Sequence, residues 1–93
     1  MNDKKYEWSF TKKGRKSFKK LDPIMQRRIM SWLDTHIDGA ENPRIWGKAL
    51  EGSFKTLWRY RVGMYRLIVD IQDQKFIVLV VKVGKRNDVY QDK

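Results

Sequence analysis

Three arginines fall within eight residues in the stretch "LWRYRVGMYRLIVDI", Leu57 to Ile71. Arg59, Arg61 and Arg66 are interleaved there with Trp58, Tyr60 and Tyr65, in a pattern of strand type. Side chains two apart in a strand point to the same face. Arg59 and Arg61 therefore share one face, and Trp58 and Tyr60 the other. Arg66 sits on the next strand and can reach the arginine face. Clustered guanidiniums repel one another unless an anion lies among them, and the acid nearby is Asp70. Two readings stand: a solvated, charged strand face, or a phosphate site. Arginine suits the second because it is always charged and grips two oxygens with one planar fork.

Other residues that could do chemistry are few. The chain has no cysteine, which excludes disulfides, thiolate metal sites and a cysteine nucleophile. His36 is the single histidine, late in a helical pattern, and reads as a surface residue rather than a nucleophile or base. With no second His or acid cluster at ligand spacing, no metal and no cofactor is expected. Trp32 and Trp46 read as packing residues rather than base-stacking platforms. Lys12, Lys13, Arg15, Lys16, Lys19 and Lys20 form a basic run. It reads as a contact to RNA backbone in preference to a merely solvated helix face, and such contacts bind without reading sequence.

These residues must be positioned by a small fold. Ninety-three residues make one domain, 1–93, with a single modest core. Tyr6, Trp8 and Phe10 alternate as a short strand. Thr11 can cap a following helix, KKGRKSFKKL, which Gly14 weakens. Asp22 and Pro23 open a second helix, and Met25, Ile29, Leu33 and Ile37 recur every four residues along it to about Ile37. "DGAENPR" ends it. Three strands follow, near 54–61, 64–72 and 75–83, on connections short enough for an antiparallel meander. The expected order is β-α-α-β-β-β: an α+β fold with a helical hairpin on one face of an antiparallel sheet. The other face stays open.

The bulk charge points to a partner. Lys and Arg number 21 against 11 for Asp and Glu, a net charge of +10. That favours a polyanion: nucleic acid, ribosome, acidic protein or anionic membrane. The longest apolar run, Phe76 to Val81, is too short to cross a bilayer. No apolar run of signal-peptide type opens the chain. A cytoplasmic protein with no membrane partner is expected.

"NPRIWGKALEG", "LWRYRVGMYRLIVDI" and "FIVLVVKVGKRNDVY" together resemble the RelE branch of the RelE/ParE toxin superfamily of bacterial type II toxin–antitoxin systems. The resemblance spans nearly the whole chain and is most specific in "GMYRLIVDI" and "VGKRNDVY". It implies a ribosome-dependent mRNA endonuclease that works without metal in the A site of the 30S subunit. The mRNA's own 2′-hydroxyl attacks the adjacent phosphate, leaving a cyclic phosphate and a 5′-hydroxyl. The family's basic pair falls on Arg59 and Arg61, its next-strand arginine on Arg66, its arginine after the last strand on Arg86, and its near-terminal tyrosine on Tyr90. Arg44, Lys48, Lys55 and Lys85 join the basic run as candidate contacts to mRNA and 16S rRNA. The family pattern commonly has lysines where this chain has Arg59 and Arg61. An arginine keeps its proton, so that pair retains an electrostatic role, and Lys55, of the same strand parity, is a reserve candidate for the base. The resemblance further implies an acidic, partly disordered RelB-like antitoxin, bound in a hetero-oligomer. The same superfamily leaves two alternatives: a ParE-type gyrase-inhibiting toxin, and a non-catalytic RNA- or ribosome-binding relative.

Overall fold

The computed structural model describes residues 5–50 and 56–85. Its elements are β1 (Glu7–Phe10), α1 (Lys12–Lys19), α2 (Pro23–His36), a single 3-10 turn (Pro43–Trp46), β2 (Gly47–Ala49), β3 (Leu57–Val62), β4 (Tyr65–Gln72) and β5 (Ile77–Lys85). They form one five-stranded sheet in the order β1-β5-β4-β3-β2. The fold is α+β, as the sequence pattern predicts, with two departures. The "PRIWGKA" stretch adds a 3-10 turn and the edge strand β2, which pairs antiparallel with β3. β1 runs parallel to β5, so the sheet is mixed. Parallel neighbours need a long crossover, and everything from α1 to β4 lies between β1 and β5 in the chain.

Both helices begin where side-chain caps allow. The Thr11 Oγ1 accepts from the Gly14 N–H at 2.9 Å, and the Asp22 carboxylate from the Met25 N–H at 2.8 Å. Each satisfies a backbone donor that the first turn leaves unpaired. On α2, Ile29 and Leu33 are fully buried, as is Ile37 just beyond it. They share one core with Tyr60, Leu67, Val69, Ile71, Val78 and Val80.

α1 covers the edge of β5 where β1 stops. Thr11 donates its backbone N–H to the Val80 carbonyl at 3.0 Å, and the Val83 N–H donates to Ser17 Oγ at 2.9 Å. A β-carbon on Gly14 would stand 1.8 Å from the Val80 carbonyl oxygen. The glycine that weakens α1 by propensity is what lets it approach the sheet so closely.

A third tie closes the far end. Arg44 grips Asp73 with both guanidinium nitrogens at 2.9 Å, and Tyr6 donates its hydroxyl to the same carboxylate at 2.6 Å. This joins the 3-10 turn, the β4–β5 turn and the start of β1.

Candidate functional site

Strand register builds the site. Arg61 stands directly opposite Arg66, Arg59 opposite Ile68, and Lys48 opposite Arg59. On the other side of β4, Ile68 faces Lys82 and Arg66 faces Gly84. Cross-strand partners lie on one face. One row across four strands therefore reads Lys48, Arg59, Ile68, Lys82, and the next reads Arg61, Arg66, Gly84. This face is the reverse of the one carrying Tyr60, Val62, Leu67 and Val69 into the core.

The electrostatics of the second row are unfavourable as they stand. Like charges directly opposite one another destabilise a strand pair. Arg66 is nevertheless buried, at 8% exposure, and its Nε has no hydrogen-bond partner. A guanidinium cannot shed its proton, and a buried donor left unpaired costs about 1–3 kcal/mol. Among the described residues no carboxylate pairs with Arg61 or Arg66; the one ion pair there is Arg44–Asp73. Asp70 shares the face through its partners Leu57 and Leu79, and accepts from Gln72 Nε2 at 3.2 Å. Among the described residues no anion lies in this row, and Gly84 brings no side chain to fill the position beside Arg66.

Lys82 is a member of this face that sequence reasoning missed. Strict alternation from Val78 and Val80 would send Lys82 into the core. The ladder instead shifts between Ile68 and Val69, so that Val69 pairs with Val80 and Ile68 with Lys82, leaving Val81 over as a bulge. Val83 then turns inward and Lys82 faces the arginines. A lysine at an apparent core position was the available signal.

The remaining candidates are scattered. Lys12, Lys13, Arg15, Lys16, Lys19 and Lys20 are all exposed. The Arg15 guanidinium lies 5.8 Å from the centre of the Phe10 ring. Arg44 is committed to Asp73 and lies 5.6 Å from the centre of the Trp58 ring, which makes it a structural cation. Lys85 is the register partner of Tyr65 and stands on the helix side of the sheet, away from the arginines. Lys55, Arg86 and Tyr90 lie outside the described residues.

The aromatic residues divide differently from expectation. Trp32 packs on Tyr60 with ring centres 5.2 Å apart. Trp46, expected in the packing, is 44% exposed. His36, expected at the free surface, is held between them. It stacks on Trp32 at 4.5 Å and meets Trp46 edge-on at 4.5 Å, and its Nδ1 lies 2.9 Å from the Trp32 carbonyl oxygen. Tyr60 is a structural tyrosine. Burial pushes its phenol well above the usual range, and its hydroxyl donates to the Pro43 carbonyl at 2.7 Å. Among the described residues no group of three His, Cys, Asp or Glu side chains could hold a metal, and no helix is long and apolar enough to cross a membrane.

Comparison with known proteins finds toxins of type II toxin–antitoxin systems. Residues 9–90 match the model of the ParE toxin of the type II toxin–antitoxin system parDE. The mRNA interferase toxin RelE of Escherichia coli K12 is 29% identical over 92 residues, covering 94% of this chain and 92% of that protein. The toxin–antitoxin complex RelBE2 of Mycobacterium tuberculosis superposes with a TM-score of 0.74 at 26% identity, over 88% of this chain and 92% of that one. A mutant of the E. coli toxin RelE in the free state superposes with a TM-score of 0.73 at 26% identity, over 95% and 93%.

Proposed function

This chain belongs to the ParE toxin family within the RelE/ParE superfamily, and we propose that this RelE-like toxin is a ribosome-dependent endonuclease that cuts mRNA in the A site. The observation that carries the reading is the Arg61–Arg66 pair, two arginines directly opposite each other on the sheet face reverse to the core, one buried with an unpartnered Nε. A scissile phosphate supplies the anion that this pair lacks.

In the proposed reaction a 2′-oxygen–phosphorus bond forms as the bond to the 5′-oxygen breaks. One proton leaves the 2′-hydroxyl and one is delivered to the departing 5′-oxygen. The phosphorane between these states carries extra negative charge, and fixed cations aimed at it lower the barrier more than they stabilise the ground state. Arg61 and Arg66 are assigned to the non-bridging oxygens, with Arg59, Arg86 and Lys82 adding positive potential. None of the arginines moves a proton. Proton transfer is assigned to Tyr90, which also stacks on a base, with Lys55 in reserve. No metal is required by this scheme.

An acidic RelB-like antitoxin is the proposed resting partner. Solved relatives of this chain include toxin–antitoxin complexes, and a net charge of +10 suits an acidic segment that folds as it binds. Covering the arginine face would block the phosphate site directly.

The test pairs two assays on the same preparation: primer extension on mRNA in programmed ribosomes, and supercoiling by gyrase. Cuts at the A-site codon, absent on naked RNA, with gyrase unaffected, are the expected result. Gyrase inhibition without cleavage would overturn the proposal in favour of the ParE-type alternative.

A further inference from the structure

The face of α2 beside its apolar stripe carries a second pattern. Arg28, Trp32, Thr35 and His36 recur at helical spacing, and they line an open groove of about 470 Å³ against Arg61, Val62 and Gly63 of β3 and its turn. The volume suits a small planar ligand. β2 ends its pairing at Tyr60, so among the described residues no strand lies beyond β3 at this point.

Arg28 and Arg61 both line the groove, and among the described residues neither has a carboxylate partner. The Arg28 guanidinium lies against the turn, 3.5 Å from where a Gly63 β-carbon would be, and Arg61 closes the other side. Between them the wall is Trp32 stacked on His36, and the half-exposed Trp46, just outside the lining, meets His36 edge-on. Among the described residues no acidic side chain lines the groove. Arg61 belongs both to this groove and to the cationic row with Arg66.

We propose that this groove is a nucleobase subsite: it holds one unstacked base of single-stranded RNA, next to the nucleotide whose phosphate lies on Arg61 and Arg66. The inference rests on the RNA-cutting reading above and adds a location for a neighbouring base. Aromatic faces stack any base, and guanidiniums hold the phosphates on either side of it. The Thr35 and Ser31 hydroxyls can each give or accept a hydrogen bond from a base edge, so the groove can prefer one base over another. An acidic peptide would match the charge but leave the planar aromatic wall without a planar partner.

The experiment titrates the isotope-labelled full chain with three probes: a trinucleotide with 2′-O-methyl riboses that cannot be cut, inorganic phosphate, and a hexaglutamate peptide. The expected result is that the trinucleotide moves the indole N–H resonances of Trp32 and Trp46, while phosphate moves only Arg59, Arg61 and Arg66. Trp46→Ala should weaken trinucleotide binding about tenfold and leave phosphate binding unchanged. Trp46 is half-exposed, so its loss does not hollow the core, and Arg28→Ala gives a second, equally exposed variant. Trinucleotide shifts confined to the arginine strands would overturn the subsite while leaving RNA binding intact. Shifts at Trp46 with hexaglutamate alone would assign the groove to an acidic protein and overturn it. No response to trinucleotide or phosphate anywhere would overturn the RNA reading and the subsite together.

Discussion

Arg66 is held where folding alone would not hold it. It is buried, faces Arg61, and carries an unpartnered Nε. If that conflict exists for the sake of an anion, removing the charge should stabilise the free protein while harming its activity, the usual trade at functional sites. Arg66→Met keeps most of the side-chain volume and is expected to raise stability by about 1 kcal/mol, several degrees in Tm for a domain this small. Thermal unfolding followed by circular dichroism checks it; a lowered Tm would mean that Arg66 is a structural residue. That the three arginines share a face was legible, because the strand period of two needs only a strand. Two neighbours were not. Lys82 reaches the face through a bulge at Val81, announced in the sequence only by a lysine at an apparent core position. Arg44 is withdrawn from the candidates by Asp73, 29 residues away.

At the scale of elements, the packing of α1 rests on Gly14. A β-carbon there meets the Val80 carbonyl at 1.8 Å, a backbone atom that cannot swing aside. Gly14→Ala improves helix propensity by up to about 1 kcal/mol, yet it is expected to destabilise by more than about 2 kcal/mol, because overpacking against backbone dominates. Urea unfolding decides the sign. The tie at Asp73 has a pH signature. The forked Arg44 guanidinium, then the Tyr6 hydroxyl, hold its carboxyl below the usual range. A depressed folded pKa gives stability that is present above the unfolded value and lost as pH falls through the folded one. Asp73 is half-exposed, so Asp73→Asn is expected to cost only about 0.5–1 kcal/mol at pH 7. The gap to wild type should close below about pH 4. A gap independent of pH would refute the charge-based account. The two helices and three long strands were legible from periodicity and caps. β2 and its 3-10 turn were not, because three residues of "GKA" carry no period. The parallel placement of β1 is set by the route of the whole chain.

For the molecule as a whole, charge governs encounter. The exposed lysines of α1 make no ion pair among the described residues, so they act through the long-range field. Replacing Lys12, Lys16 and Lys19 by Glu more than halves the net charge of +10. Association with ribosomes at low salt is expected to slow about tenfold, with the difference fading as salt rises. Cleavage at saturating protein should be unchanged. A loss of cleavage at saturation would make α1 part of the reaction rather than of the approach.

The central claim is that the facing arginines of β3 and β4 bind the phosphate that is cut. Single-turnover cleavage of A-site mRNA at saturating protein, comparing wild type with Arg66→Ala, tests it most directly. The Arg66→Ala rate is expected to be lower by about 10²–10³-fold, the usual effect of removing one fixed donor to a developing oxyanion, with the fold and ribosome affinity retained. Cleavage at the wild-type rate in a folded, ribosome-bound Arg66→Ala protein would contradict it, and the arginines would then be a charged strand face and nothing more.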